Sequence, residues 1–108
     1  MDEITSMVTD GSGIVWLGTE MGLLSFDGTN WTLFDSNNSG LPYNYVLSLA
    51  VDGNGVIWIG TDIGGLSSFD GTSWTVYNTS NSALPSNQVI AIAIENVKFN
   101  GIAIEKIK

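Results

Sequence analysis

"VDGNGVIWIGTDIGGLSSFDGTSWTVYN", residues 51–78, restates "VTDGSGIVWLGTEMGLLSFDGTNWTLFD", residues 8–35. Turns, tryptophans and glycines that return together at one spacing mark a repeated structural unit, and the unit has to be understood before any residue in it is given a role. Asp10, Gly13, Trp16, Gly18, Thr19 and Gly22 precede Asp52, Gly55, Trp58, Gly60, Thr61 and Gly64 by 42 residues. Past one inserted glycine, Phe26, Asp27, Gly28, Trp31, Leu41, Pro42, Asn44 and Val46 precede Phe69, Asp70, Gly71, Trp74, Leu84, Pro85, Asn87 and Val89 by 43. A period of this length suits either a four-stranded propeller blade or a pair of helices.

The local pattern selects strands. "YVLSLAVD", "GVIWIGT", "GLSSF" and "SWTVYN" are short runs rich in Val, Ile, Trp, Thr and Tyr, cut by "DGNG", "TDIGG" and "FDGTS", which carry glycine where a turn needs positive φ. No stretch sustains the i, i+3, i+4, i+7 apolar spacing of a helix. Each copy therefore predicts four antiparallel strands, in the first copy near 4–9, 14–19, 23–27 and 30–34, followed by a longer link, "SNNSGLPYN" or "TSNSALPSN". "QVIAIAIE", residues 88–95, repeats the first strand of a unit, and "NVKFNGIAIEKIK" keeps an Asn-Gly and one more alternating strand without the later landmarks. The expected organisation is one blade over 1–44, a second over 45–87 and a partial third, or closing strands, over 88–108.

The run D-x-x-G-x-x-W-x-G-T, then G-L-x-x-F-D-G, W-T-x-Y/F and L-P-x-N resembles the two-component regulator propeller repeat, over roughly residues 4–95. The Asp and Gly turn before Trp also looks like the Asp-box hairpin of sialidase-type propellers, but "WIGT" and "LPSN" favour the regulator type. The resemblance implies an all-β propeller fold and blades of the sensor parts of bacterial two-component systems or other exported proteins, in the periplasm or outside the cell. Such propellers hold many blades in one chain. Two and a half blades cannot close a ring and would leave apolar faces bare, so the expectation is completion by a homo-oligomer, a trimer or tetramer, or membership in a longer propeller.

Composition narrows the function. The 108 residues hold 11 acidic side chains against 3 lysines, with no arginine, histidine or cysteine, for a net charge of −8. That field repels phosphate backbones and anionic headgroups, so no nucleic-acid partner is expected. No apolar span of about 18 residues exists for membrane insertion, and "MDEITSMVTDG" shows no signal peptide. Without His, Arg or Cys, no catalytic constellation is visible and paired carboxylates are the only acid and base chemistry left. Asp10 and Asp52 offer hard oxygen ligands but lack the further carboxylates of a calcium loop, so they read as turn residues, and neither metal nor cofactor is expected.

If the first strand of each blade lines a channel, the L-P-x-N link and the turn between second and third strands share its mouth. The copies differ there, with Glu20 and Met21 against Asp62 and Ile63, and Tyr43, Asn44 and Tyr45 against Ser86, Asn87 and Gln88. These ten residues are the candidate site for a small-molecule or glycan ligand. Trp16 and Trp58 read as packing between blades, and Trp31 and Trp74 on the outermost strand are open to either role. The function expected is a non-catalytic recognition or scaffolding module; a carbohydrate-binding module is the alternative, and a glycan-acting enzyme the third reading.

Overall fold

The computed structural model describes residues 3–94 and 102–107. Runs of four to six residues rich in β-branched and aromatic side chains, each stopped by a glycine or aspartate turn, form ten strands there and no helix. The first sheet runs in the order β1 (Ile4–Thr9), β2 (Val15–Thr19), β3 (Gly22–Phe26), β4 (Trp31–Phe34). The second repeats it with β5 (Val46–Val51), β6 (Ile57–Thr61), β7 (Leu66–Phe69) and β8 (Trp74–Tyr77). A two-stranded sheet follows, β9 (Val89–Ile94) paired with β10 (Ile102–Ile107). All pairings are antiparallel, so the described residues form two four-stranded blades and a two-stranded sheet. Lys98 and the Asn-Gly at 100–101 lie outside the described residues.

Register decides what each face carries. Val8 lies opposite Trp16, and Leu23 opposite Phe34, which gives the first blade one face built around tryptophan. The other face carries the row Met7, Leu17, Leu24, Leu33, matched in the second blade by Leu49, Ile59, Ser67, Val76. The core forms where the tryptophan face of the first blade meets the other face of the second. Trp16, Leu23 and Leu41 pack there against Val46, Leu49, Ile57, Ile59 and Phe69. Trp16 meets Phe69 edge-on at 6.1 Å and stacks with Phe34 at 5.9 Å, while Phe69 stacks with Trp74 at 4.3 Å. Hydroxyls stitch successive blades together. Thr5 Oγ1 donates to the Val46 carbonyl (2.5 Å), and Ser48 Oγ to that of Val89 (3.2 Å).

One equivalence shifts. Thr19 Oγ1 donates to the Gly22 carbonyl, and Thr61 Oγ1 to that of Gly65, both at 2.9 Å. The counterpart of Gly22 is therefore Gly65 and not Gly64, and the extra residue sits inside the turn before it.

Ser67 replaces a leucine, Leu24, in the buried row. It has no exposed surface, and its Oγ finds no hydrogen-bond partner among the described residues. An unpaired hydroxyl costs more in a core than a methyl group does. Ser67→Ala should leave stability unchanged or raise it by up to about 1 kcal/mol, read as a shifted urea midpoint at constant slope.

Candidate functional site

The hairpin turns hold themselves together before they hold anything else. Asp10 Oδ1 accepts the amides of Ser12 and Ile14, and Asp52 Oδ1 those of Asn54 and Val56, at 2.9 and 3.0 Å in each copy. The second oxygen accepts the indole N–H, Trp16 Nε1 on Asp10 Oδ2 at 2.9 Å and Trp58 Nε1 on Asp52 Oδ2 at 3.0 Å. Aspartate six residues before tryptophan is thus a pin that fixes the ring, and both carboxylate oxygens already have donors. This is the pairing that sequence reasoning missed, although the spacing stands in both copies. Asp27 and Asp70 cap their turns the same way, each taking two backbone amides.

These bonds set the acid response. Burial raises the Asp10 and Asp52 carboxyls, but the Trp16 and Trp58 N–H groups and the turn amides outweigh it, leaving both below the ordinary value of 3.8. Asp27 is lowered by the amides of Asn30 and Thr29, and Asp70 by those of Ser73 and Thr72. A carboxyl depressed in the folded chain stabilises fully above its unfolded pKa, and the contribution fades as pH falls through the folded value. With no histidine to titrate, stability should stay flat from about pH 5 to 8 and fall below about pH 4. Asp52→Asn, whose amide nitrogen would face the Trp58 N–H, should flatten part of that fall; denaturant midpoints across pH check both.

At one end of the sheets the second blade's turn Asp62–Gly65 lies between two links. The Asp62 amide donates to the Tyr45 carbonyl (3.0 Å), and the Gly65 amide to that of Asn87 (2.8 Å). Gln88 Nε2 donates to Asp62 Oδ1 (2.5 Å), joining side chains from turn and link. A methyl on Gly64 would sit 2.7 Å from the Tyr43 Cβ, so that link also borders the turn. Tyr43, Tyr45, Asp62, Ile63, Asn87 and Gln88 are therefore gathered, with Ser86 beside them, where Ser86 Oγ accepts the Gln88 amide (3.1 Å). Asn44 and Asn87 spend their side-chain oxygens on the Ser36 and Thr79 amides at 2.8 and 2.9 Å, which shapes the links. Glu20 and Met21 tip the matching turn of the first blade, and Gly18 just before it lies against Val46 at the start of β5. Met21 and Ile63, at one position in the two copies, are each 58% exposed.

The repeat and its geometry agree with known proteins. Residues 40–62 match the family model described as two component regulator propeller. Over that segment the chain carries the propeller repeat. The extracellular domain of the hybrid two component system BT3049 from B. thetaiotaomicron is similar at 27% identity and a TM-score of 0.76, over 85% of this chain and 13% of that one. A second such domain, from BT4673 of the same organism, matches at 26% identity and a TM-score of 0.68, over 94% of this chain and 14% of that one. The chain thus spans about one seventh of the solved structures it resembles. No curated protein matches it.

Between the two copies of the repeat, the tryptophan positions part company. Trp16 is buried between blades, whereas Trp58 is half-buried and stacks on Tyr77 at 6.0 Å. Trp74 packs into the core between blades; Trp31, stacked on Phe26 at 4.3 Å, is 59% exposed. The difference follows from neighbours and not from chemistry. Each exposed ring stands where a further blade's outer strands would cover it, and among the described residues none does.

Proposed function

We propose that this chain is a non-catalytic recognition or scaffolding module of the sensor-propeller type, acting in the periplasm or outside the cell. Its ligand face is the end where the β6–β7 turn meets the two links, together with the matching β2–β3 turn of the first blade. One observation carries the reading: Met21 and Ile63 hold apolar tips in solvent at the same place in both copies, each beside a carboxylate, Glu20 or Asp62, on a scaffold that is otherwise repeated. An apolar tip next to an acid, repeated around a mouth, suits a ligand with both apolar and hydroxyl or cationic groups. Absence of histidine, arginine and cysteine supports binding over catalysis. The blades act in a completed ring, supplied by other copies of the chain or by further repeats.

Amide shift mapping against neutral and acidic oligosaccharides and free amino acids tests this. Perturbations centred on residues 20–21, 43–45, 62–63 and 86–88, lost in Ile63→Asp, are expected. Shifts centred on Trp31 would favour the carbohydrate-binding alternative, to which its exposed ring is the one pointer. A silent panel would overturn the ligand face.

A further inference from the structure

The outermost strand of a sheet keeps half of its backbone groups for a neighbour. In the first blade the last turn closes with the Asp27 amide on the Asn30 carbonyl (3.2 Å), and pairing then runs from Phe26 opposite Trp31 to Leu23 opposite Phe34. Antiparallel alternation turns the backbone groups of Thr32 and Phe34 toward β3 and those of Leu33 and Asp35 away from it. The second blade repeats this from the Asp70 amide on the Ser73 carbonyl (3.3 Å), so Val76 and Asn78 face outward from β8. Among the described residues no strand pairs with the outer side of β4 or β8. A further blade would not change that, because blades meet through their faces, as the core between these two does.

"WTLF" and "WTVY" are edges of the kind that recruits other chains, aromatic and β-branched, uncharged, with neither Gly nor Pro. Two asparagines occupy their outward groups. Asn38 Nδ2 donates to the Leu33 carbonyl and Asn38 Oδ1 accepts the Asp35 amide, both at 2.8 Å. Asn81 does the same with the Val76 carbonyl (2.9 Å) and the Asn78 amide (2.8 Å). One carboxamide thus fills two backbone groups that an added strand would bond. Each asparagine is held in turn, with Asp35 Oδ1 accepting the Asn38 amide and Asn78 Oδ1 that of Asn81, at 3.0 Å in both copies. Both asparagines are exposed, so burial does not explain why the arrangement recurs.

We propose that Asn38 and Asn81 are edge plugs, which keep the outer strand of each blade from pairing with a strand of another molecule. The two edges differ in what else guards them. β4 lies between Asp27 and Asp35, whereas Asn78 stands in the place of Asp35 at the second edge and residues 71–94 carry no charge. The second blade therefore depends more on its plug. The proposal is independent of the ligand face and of how a ring is completed, since it concerns edges and not faces.

Amide hydrogen exchange and solution mass of the full chain are the test. In Asn81→Ala the Asn78 amide should exchange about tenfold faster, the worth of one hydrogen bond. The mass of that variant by light scattering should climb above that of wild type as concentration rises, with an infrared signal of intermolecular strands. Asn38→Ala should release the Asp35 amide in the same way and associate less readily, because Asp35 still stands beside its edge. Thr75→Lys, a charge at an exposed position of β8, should return the mass of Asn81→Ala to that of wild type and leave the fast exchange in place, since it guards the edge without remaking the bonds. Near-UV circular dichroism of the tryptophans confirms that each variant is folded; Asn81→Ser, too short to bridge both backbone groups, replaces Asn81→Ala if that variant is not. An Asn78 amide that keeps the wild-type rate overturns the proposal, as does a folded variant whose mass follows wild type at every concentration. Association that Thr75→Lys fails to reverse overturns it too, because the contact would then lie away from the edge.

Discussion

Leu49→Ala should lower the stability of the chain by about 3 kcal/mol in dilute solution, while Met7→Ala should cost less than about 0.5 kcal/mol. The two residues hold the same place in the repeat, the fourth position of a blade's first strand, 42 residues apart. Leu49 is 7% exposed, in contact with the cluster formed by Trp16, Leu23 and Ile59, and its removal leaves a cavity that a packed sheet interface closes only in part. Met7 is 62% exposed and loses little that water does not already touch. Unfolding by urea at low protein concentration gives both values. Equal costs would show that the first-blade face is covered in solution. A small cost for Leu49→Ala would show that the two blades do not share the core that the register gives them.

The same pair shows where sequence reading succeeds and where it stops. Period, strand count and turn positions were legible because every blade spends the same residues on the same tasks: glycine at the turns, aspartate to bind the turn amides, alternating apolar residues for the two faces. What a repeated position is worth was not legible, since Met7 and Leu49, or Trp31 and Trp74, differ by what stands next to them and not by what they are. The aspartate-to-indole pin was present in the spacing and passed over, because a turn aspartate already has a sufficient explanation in its own backbone amides. At the candidate site, the grouping of Tyr45, Asp62 and Gln88 followed from topology. The shaping roles of Asn44 and Asn87 did not, since an asparagine's partners eight residues back in an irregular link leave no periodic trace.

Gly65→Ala should cost about 3 kcal/mol or more, and Gly55→Ala only about 1 kcal/mol. Both residues sit at positive φ, +88° and +81°, so each substitution carries the strain of holding a Cβ in the left-handed region. Space separates them. A methyl on Gly55 meets nothing within 4 Å, whereas one on Gly65 drives into the Tyr77 carbonyl, with Asn78 Cα 3.3 Å away. That backbone cannot yield as a flexible side chain would. The Gly65 amide and carbonyl are also committed, to Asn87 at 2.8 Å and to Thr61 at 3.0 Å, so any shift disturbs the turn, the outer strand and the link to β9 together. Denaturant midpoints of the two variants measure the difference. A second consequence follows at the candidate site, where Asp62 and Gln88 meet across this turn: Gly65→Ala should move their amide resonances, and Gly55→Ala should leave them in place. Equal stability losses would mean that the turn relaxes freely, and the site it supports would then lack the fixed geometry that a recognition surface requires.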